Sequence, residues 1–196
     1  MNLTSFKINA IVDGEEMTIF PLLIETSNGK YLVDCWYEET VDAFISALRN
    51  QGVNLSDLNG IIITHDDIDH LGGLYELKRQ NPHLKVYCGT HEKYSVTGTV
   101  KSERLLQAER LLETMPDKLK PWGLAFIRRL ESIKRCEVDE PLEDNEVIDN
   151  EIVVIHTPGH TKGHISLYIP LEKAVITGDA LVFINGKLDI ANPHYI

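Results

Sequence analysis

Apolar and polar residues alternate through "SFKINAIVDG" and again through "EMTIFPLLIET", with Asp13 and Gly14 between the two runs. A period of two interrupted by a Gly-containing turn predicts a β-hairpin. "SNGK" then turns the chain into "YLVDCW", a third strand. The period changes at "EETVDAFISALRNQG", where Val41, Phe44, Ile45 and Leu48 recur at helical spacing and Gly52 supplies a stop. "GIIIT", "LGGLYELKRQNP" and "KVYC" then alternate strand, helix and strand. Residues 100 to 135 read as two helical runs split by "PDKLKP". The second puts Trp122, Phe126, Leu130 and Ile133 on one stripe, expected to face the core. Beyond it, "EIVVIH", "HISLYIP" and "KAVITGD" are short β-type runs punctuated by turn residues.

Composition narrows the class. A chain of 196 residues fits one domain, residues 1–196, with the helical pair at about 100–135 as an insertion. Hydrophobic residues make up 43%, which is ample for a core and argues against disorder. The net charge of -11 repels phosphate backbones, so no nucleic-acid partner is expected. Arg128, Arg129, Lys134 and Arg135, the one basic cluster, read as a solvated helix face. No signal segment or membrane-length apolar run is present, so no membrane partner is expected and the expected location is cytoplasmic. Cys35, Cys88 and Cys136 lack a C-x-x-C pair; Cys35 and Cys88 read as small hydrophobes inside strands. Nothing in the composition reports an oligomeric state.

One segment resists a purely structural reading. "THDDIDHLGG" sets two histidines and three acids in six consecutive positions, just after the apolar run "GIIIT". In an extended loop alternate side chains share a side, so His65, Asp67 and Asp69 point one way. His70 opens the next helix and approaches from another angle. Four such donors can surround one or two cations, whereas without a cation the carboxylates would crowd one another. An acidic helix cap is the alternative, with Asp69 at the positive helix end, but a cap needs one acid.

Two later strand ends add donors. "HTPGHTKGH" follows "EIVVI", and Pro158 with Gly159 fixes a tight turn from which His160 projects. His156 reads as a half-buried or supporting histidine, and His164 as the start of the next strand. In "VITGDAL", Asp179 follows a Gly at a strand end, where a carboxylate can bridge two cations. G-x-S-x-G, G-x-x-x-x-G-K-[ST] and G-x-G-x-x-G are all missing from the chain, and no residue near Cys35 suggests an activated thiolate.

"THDDIDHLGG", "TPGHTKGH" and "TGD", in that order, resemble the metallo-β-lactamase superfamily, and "NGKYLVDCW" resembles its third strand with a supporting aspartate at Asp34. The resemblance covers the whole chain and implies an α/β fold: an αββα sandwich of two mixed β-sheets with helices on the outer faces. It implies that His65, Asp67 and His160 hold a first metal, that Asp69 and His70 hold a second, and that Asp179 bridges them. Zinc is expected, two ions per chain. The family motif H-x-H-x-D-H stands here as H-x-D-x-D-H, and the oxygen of Asp67 extends the tolerance to manganese or iron. The family usually continues through another helix and strand to a last histidine. Here the chain stops at "DIANPHYI", and His194 is too close to Asp179 to be equated with that ligand. Either the C-terminal part of the usual fold is missing or the second site is open.

The resemblance implies hydrolysis by a metal-bound hydroxide on a small-molecule substrate, an ester, lactone, thioester or similar electrophile, with Asp69 as the catalytic residue that orients the hydroxide. Two other readings stand beside it: an iron-dependent redox enzyme of the same fold, and a non-catalytic metal-binding module.

Overall fold

The computed structural model describes residues 1–194. Strands β1 (Asn2–Ser5), β2 (Ile8–Val12), β3 (Glu15–Ile19), β4 (Leu22–Glu25) and β5 (Lys30–Val33) precede helix α1 (Val41–Asn50). Strand β6 (Gly60–Ile63) leads into helices α2 (Ile68–Leu71) and α3 (Leu74–Gln80), followed by β7 (Lys85–Gly89) and α4 (Lys93–Val96). The helical pair is α5 (Glu103–Thr114) and α6 (Lys120–Glu131). Then come β8 (Glu140–Leu142), β9 (Val147–Ile148), β10 (Ile152–His156), β11 (Ile165–Ile169), β12 (Ala174–Ile176), β13 (Val182–Ile184) and β14 (Lys187–Asp189).

Two sheets form the sandwich. The larger is mixed, ordered β1-β4-β5-β6-β7-β8, with parallel pairing from β5 to β8. The smaller, β12-β11-β10-β9, is antiparallel throughout, because short turns rather than crossovers join its strands. Strand β6 shows how the layers are built. Its residues are buried on both faces, as expected of a central parallel strand. Ile61 and Ile63 join Phe44 and Leu48 of α1 and Leu74 and Leu77 of α3 in one core. Ile62 faces the other way, with Val154, Ile165 and Leu167 of the second sheet. The strand's carboxyl end is therefore fixed from two sides, and the acidic motif begins at its next residue.

Several expectations shift in the structure. "EMTIFPLLIET" is two strands, β3 and β4, broken at Phe20 and Pro21, since proline has no N–H for a ladder. "YLV" is consequently part of the fifth strand, not the third. Cys88 lies in β7 but Cys35 lies just beyond β5; both are buried. Trp122 does not face the core: it is 66% exposed, and Phe126 is half-buried. The buried face of α6 is Gly123, Ile127 and Leu130, because α6 packs on Leu105 and Ala108 of α5 in a separate small core. Arg135 is no solvated cation either, since its Nη1 is buried without a partner. No helix among the described residues is long and apolar enough to cross a membrane.

Ile62→Ala removes a fully buried side chain from the core between the sheets. The expected cost is about 2–5 kcal/mol, read from the denaturant midpoint at unchanged m. A change below about 0.5 kcal/mol, the range of ordinary surface substitutions, would contradict the packing described.

Candidate metal centre

The motif starts where β6 ends. Asp67 keeps an extended backbone and its carbonyl accepts from the N–H groups of His70 and Leu71, which starts the short helix α2. His160 stands on the loop after β10, and Asp179 on the turn after β12. That turn depends on its glycine. Gly178 has φ +48°, and a Cβ there would lie 2.7 Å from His164 Nε2 and 3.0 Å from Thr64 Oγ1.

The three strand ends converge. Ligand atoms of His65, Asp67 and His160 lie within 4.8 Å of one another, and so do those of His65, His70 and Asp179. His65 is common to both groups. Asp69 belongs to neither; its carboxylate lies 3.8 Å from His70 Nε2 and faces the cavity above, with 38% of the side chain exposed. Asp179 spans the groups, with Oδ1 3.5 Å from His70 Nε2 and Oδ2 3.7 Å from His160 Nε2.

Each converging imidazole is held by its far nitrogen. His65 Nδ1 meets Thr64 Oγ1 at 3.0 Å, His70 Nδ1 meets Asp34 Oδ2 at 2.8 Å, and His160 Nδ1 meets the carbonyl of Asn192 at 2.6 Å. An N–H donated outward on Nδ1 leaves Nε2 to face the shared space, the arrangement that metal-bound histidines adopt. Two buried atoms there, His65 Nε2 and Asp67 Oδ1, have no hydrogen-bond partner. Orphaned buried acceptors are costly unless something fills the gap, and these residue types fit a divalent cation.

Electrostatics point the same way. Burial opposes ionisation of Asp67, yet hydrogen bonds from His160 and His194, with His65 Nε2 nearby at 3.7 Å, outweigh it and hold the carboxyl well below its usual range. Burial by itself would raise the pKa of Asp179, but the hydrogen bond and charge of His70 bring it down to about 2. Burial disfavours protonated His70 and His160, but Asp34 and Asp179 raise the first well above the ordinary imidazole value, and Asp67 raises the second. Protons thus neutralise the acids that a cation would neutralise.

His164 behaves differently. Burial pushes its pKa down to about 3, and its Nε2 accepts the backbone N–H of Asp179 at 3.1 Å. It is a neutral strut under Asp179. His156 is half-buried at the end of β10, with Nε2 3.3 Å from the carbonyl of Leu142, and lies in neither group. Asp34, at φ +58°, accepts from the N–H of Thr64 at 2.8 Å and from its hydroxyl as well as from His70.

Two features escaped the sequence reading. His194 is buried, its Nε2 donates to Asp67 Oδ2 at 2.7 Å, and its ring lies 4.1 Å from that of His160. Being the one histidine after Asp179 was its only signal. Behind the cage, Asp66 and Glu92 are both buried, and the Asp66 N–H donates to Glu92 Oε1 at 3.0 Å. Burial raises the pKa of each, helped by the charge of Asp67 at Asp66 and by that of Asp66 at Glu92.

Residues 17–193 match the Metallo-beta-lactamase superfamily. The "Probable metallo-hydrolase Mb2322c" of Mycobacterium bovis is 25% identical over 177 residues, covering 76% of this chain and 51% of that protein. A hydroxyacylglutathione hydrolase of Mesorhizobium japonicum is 43% identical over 54 residues, 26% of this chain and 21% of that protein. Among solved structures, native FEZ-1 metallo-beta-lactamase from Legionella gormanii superposes with a TM-score of 0.61 at 19% identity, covering 95% of this chain and 58% of that one. The chain spans about half the length of the mycobacterial relative.

His65→Ala and His160→Ala are expected to abolish tight zinc binding in equilibrium dialysis, while His83→Ala and His91→Ala, at exposed positions, retain it. Equal metal content in all four variants would contradict the grouping. Because His70 and His160 hold protons to a higher pH than a free imidazole, near 6.5, metal must displace them. Zinc affinity should therefore rise with pH through and above that value, with protons released on binding in a weakly buffered titration. A flat affinity between about pH 6 and 8 would refute the assignment.

Proposed function

The chain belongs to the metallo-beta-lactamase superfamily, and from that premise we propose that it is a metal-dependent hydrolase acting on a small ester, lactone or thioester. One observation carries this reading. Three imidazoles anchored by Nδ1 turn their Nε2 atoms toward two carboxylates at the floor of a cavity of about 680 Å³, a volume suited to a small molecule. His65, Asp67 and His160 would hold one zinc ion, and His70 and Asp179 a second, with Asp69 beside it. Bound there, the cations would lower the pKa of a shared water and polarise the substrate carbonyl.

The chain's own residues supply the rest. Asp69 faces the cavity, where its carboxylate can orient the attacking water, accept its proton and return it to the leaving group. Asp34 and Thr64 keep the imidazoles of His70 and His65 in one tautomer and one orientation. His194 Nε2 holds the same oxygen of Asp67, Oδ2, that His160 Nε2 reaches. The similarity to a named hydrolase over 54 residues and to a named metallo-hydrolase over 177 supports hydrolysis as the reaction type. The net charge of -11, with four aspartates lining the cavity, disfavours a nucleic-acid substrate.

Zinc-loaded protein should turn over at least one class in a panel of small esters, lactones and thioesters, and chelation should stop it. Asp69→Ala should lower that rate by about 10²–10⁴-fold, the usual worth of a positioned general base. Absence of turnover on all three classes would sink the reading. Iron as the dominant metal in protein purified without chelator would favour redox chemistry instead.

A further inference from the structure

Part of the cavity lining comes from α5 and α6, and the lining contains a single Lys or Arg, Arg104. The side chains it contacts, Phe126 and Gln107, are uncharged. The guanidinium carbon lies 5.1 Å from the centroid of Phe126, whose ring stacks on Trp122 at 5.9 Å with the planes 4° apart. Arg104 Nη1 donates to Gln107 Oε1, and Gln107 Nε2 in turn donates to the carbonyl of Pro193 at 3.2 Å. Among the described residues Arg104 makes no ion pair within 4.0 Å, although Arg79 and Arg129 each find a carboxylate. The helix start beneath it is fixed, since Ser102 Oγ accepts the N–H of Leu105 at 3.1 Å.

An aromatic face and an amide carbonyl orient a guanidinium without cancelling its charge. One N–H is used by Gln107, and the rest of the planar fork remains for a ligand. That fork matches a carboxylate with two parallel hydrogen bonds. The alternative task, neutralising the acids of the cage, is already performed by imidazoles: His160 and His194 reach Asp67, and His70 reaches Asp179. The same lining offers apolar surface at Leu111, Leu130, Val182 and Ile184.

We propose that Arg104, oriented by Gln107 and Phe126, determines specificity for a substrate that carries a carboxylate. The scissile ester, lactone or thioester lies at the cage, a short apolar stretch runs along Leu111 and Leu130, and the carboxylate pairs with the guanidinium. This rests on the hydrolase reading and names its substrate class.

The test compares thioesters matched in length, one acyl chain ending in methyl and the other in carboxylate, on the zinc-loaded chain. The carboxylate member should have a kcat/KM at least about tenfold higher, as expected for a charged hydrogen-bonded pair. In Arg104→Met the ratio of the two should fall to about one, chiefly through KM, with metal content and denaturation midpoint unchanged. Arg104→Lys should recover part of the preference, because it restores charge but not the fork. Glutarate binding, followed by calorimetry, needs no turnover and should weaken about tenfold or more in Arg104→Met. A preference and a glutarate affinity both untouched by Arg104→Met would overturn the proposal, as would a wild-type preference for the methyl member. Turnover of neither thioester, with glutarate still bound through Arg104, would remove the hydrolase reading and leave the anion site standing.

Discussion

A single buried carboxylate, that of Asp34, ties the fold to the site. It accepts the N–H and hydroxyl of Thr64 and the Nδ1–H of His70, and Thr64 in turn meets His65. Two of the cage imidazoles thus take their orientation from one side chain at the end of β5. The cost is local: Asp34 and Trp36 both hold positive φ, a conformation that disfavours residues with a Cβ by roughly 1–2 kcal/mol each. Hydrogen bonds from Cys35 N–H to the carbonyl of His70 and from Gly73 N–H to that of Trp36 keep the segment against α2 and offset that strain.

The cage built on this support is electrostatically unfinished by its own residues. Asp67 and Asp179 are ionised because imidazoles stand against them, and His70 and His160 retain protons because the carboxylates are there. Two buried polar atoms, His65 Nε2 and Asp67 Oδ1, have no hydrogen-bond partner. Such an arrangement gains most from a divalent cation, which satisfies both orphans and releases the protons. The pair Asp66 and Glu92 behind it follows a different logic: burial favours their neutral forms, and Glu92 serves to hold the backbone of the motif.

The helical pair sets the shape of the cavity. Because α6 buries Gly123, Ile127 and Leu130 against α5, Phe126 is turned toward the cavity and Trp122 toward solvent. A stripe chosen by helical spacing was offset from the face that packs, since spacing fixes which residues share a side but not which neighbour that side meets. The short helix–helix core, rather than the sandwich, decided the orientation.

The sequence by itself determined a good deal. Alternation and helical spacing placed β2, β3, α1, β6, α3 and the pair α5 and α6, since each of these signals is local and repeats within a few residues. The clustered donors of "THDDIDH", together with His160 and Asp179 at strand ends, pointed to residues that the fold does bring within 4.8 Å, Asp69 excepted. Only the tertiary structure decided that His194 reaches Asp67 across 127 positions, that His164 supports Asp179 from beneath, and that Arg104 faces the same cavity. The reason is physical. A pattern along the chain encodes periodicity and turn chemistry, whereas contacts between distant loops depend on how the sheets and helices pack, and no local signal carries that.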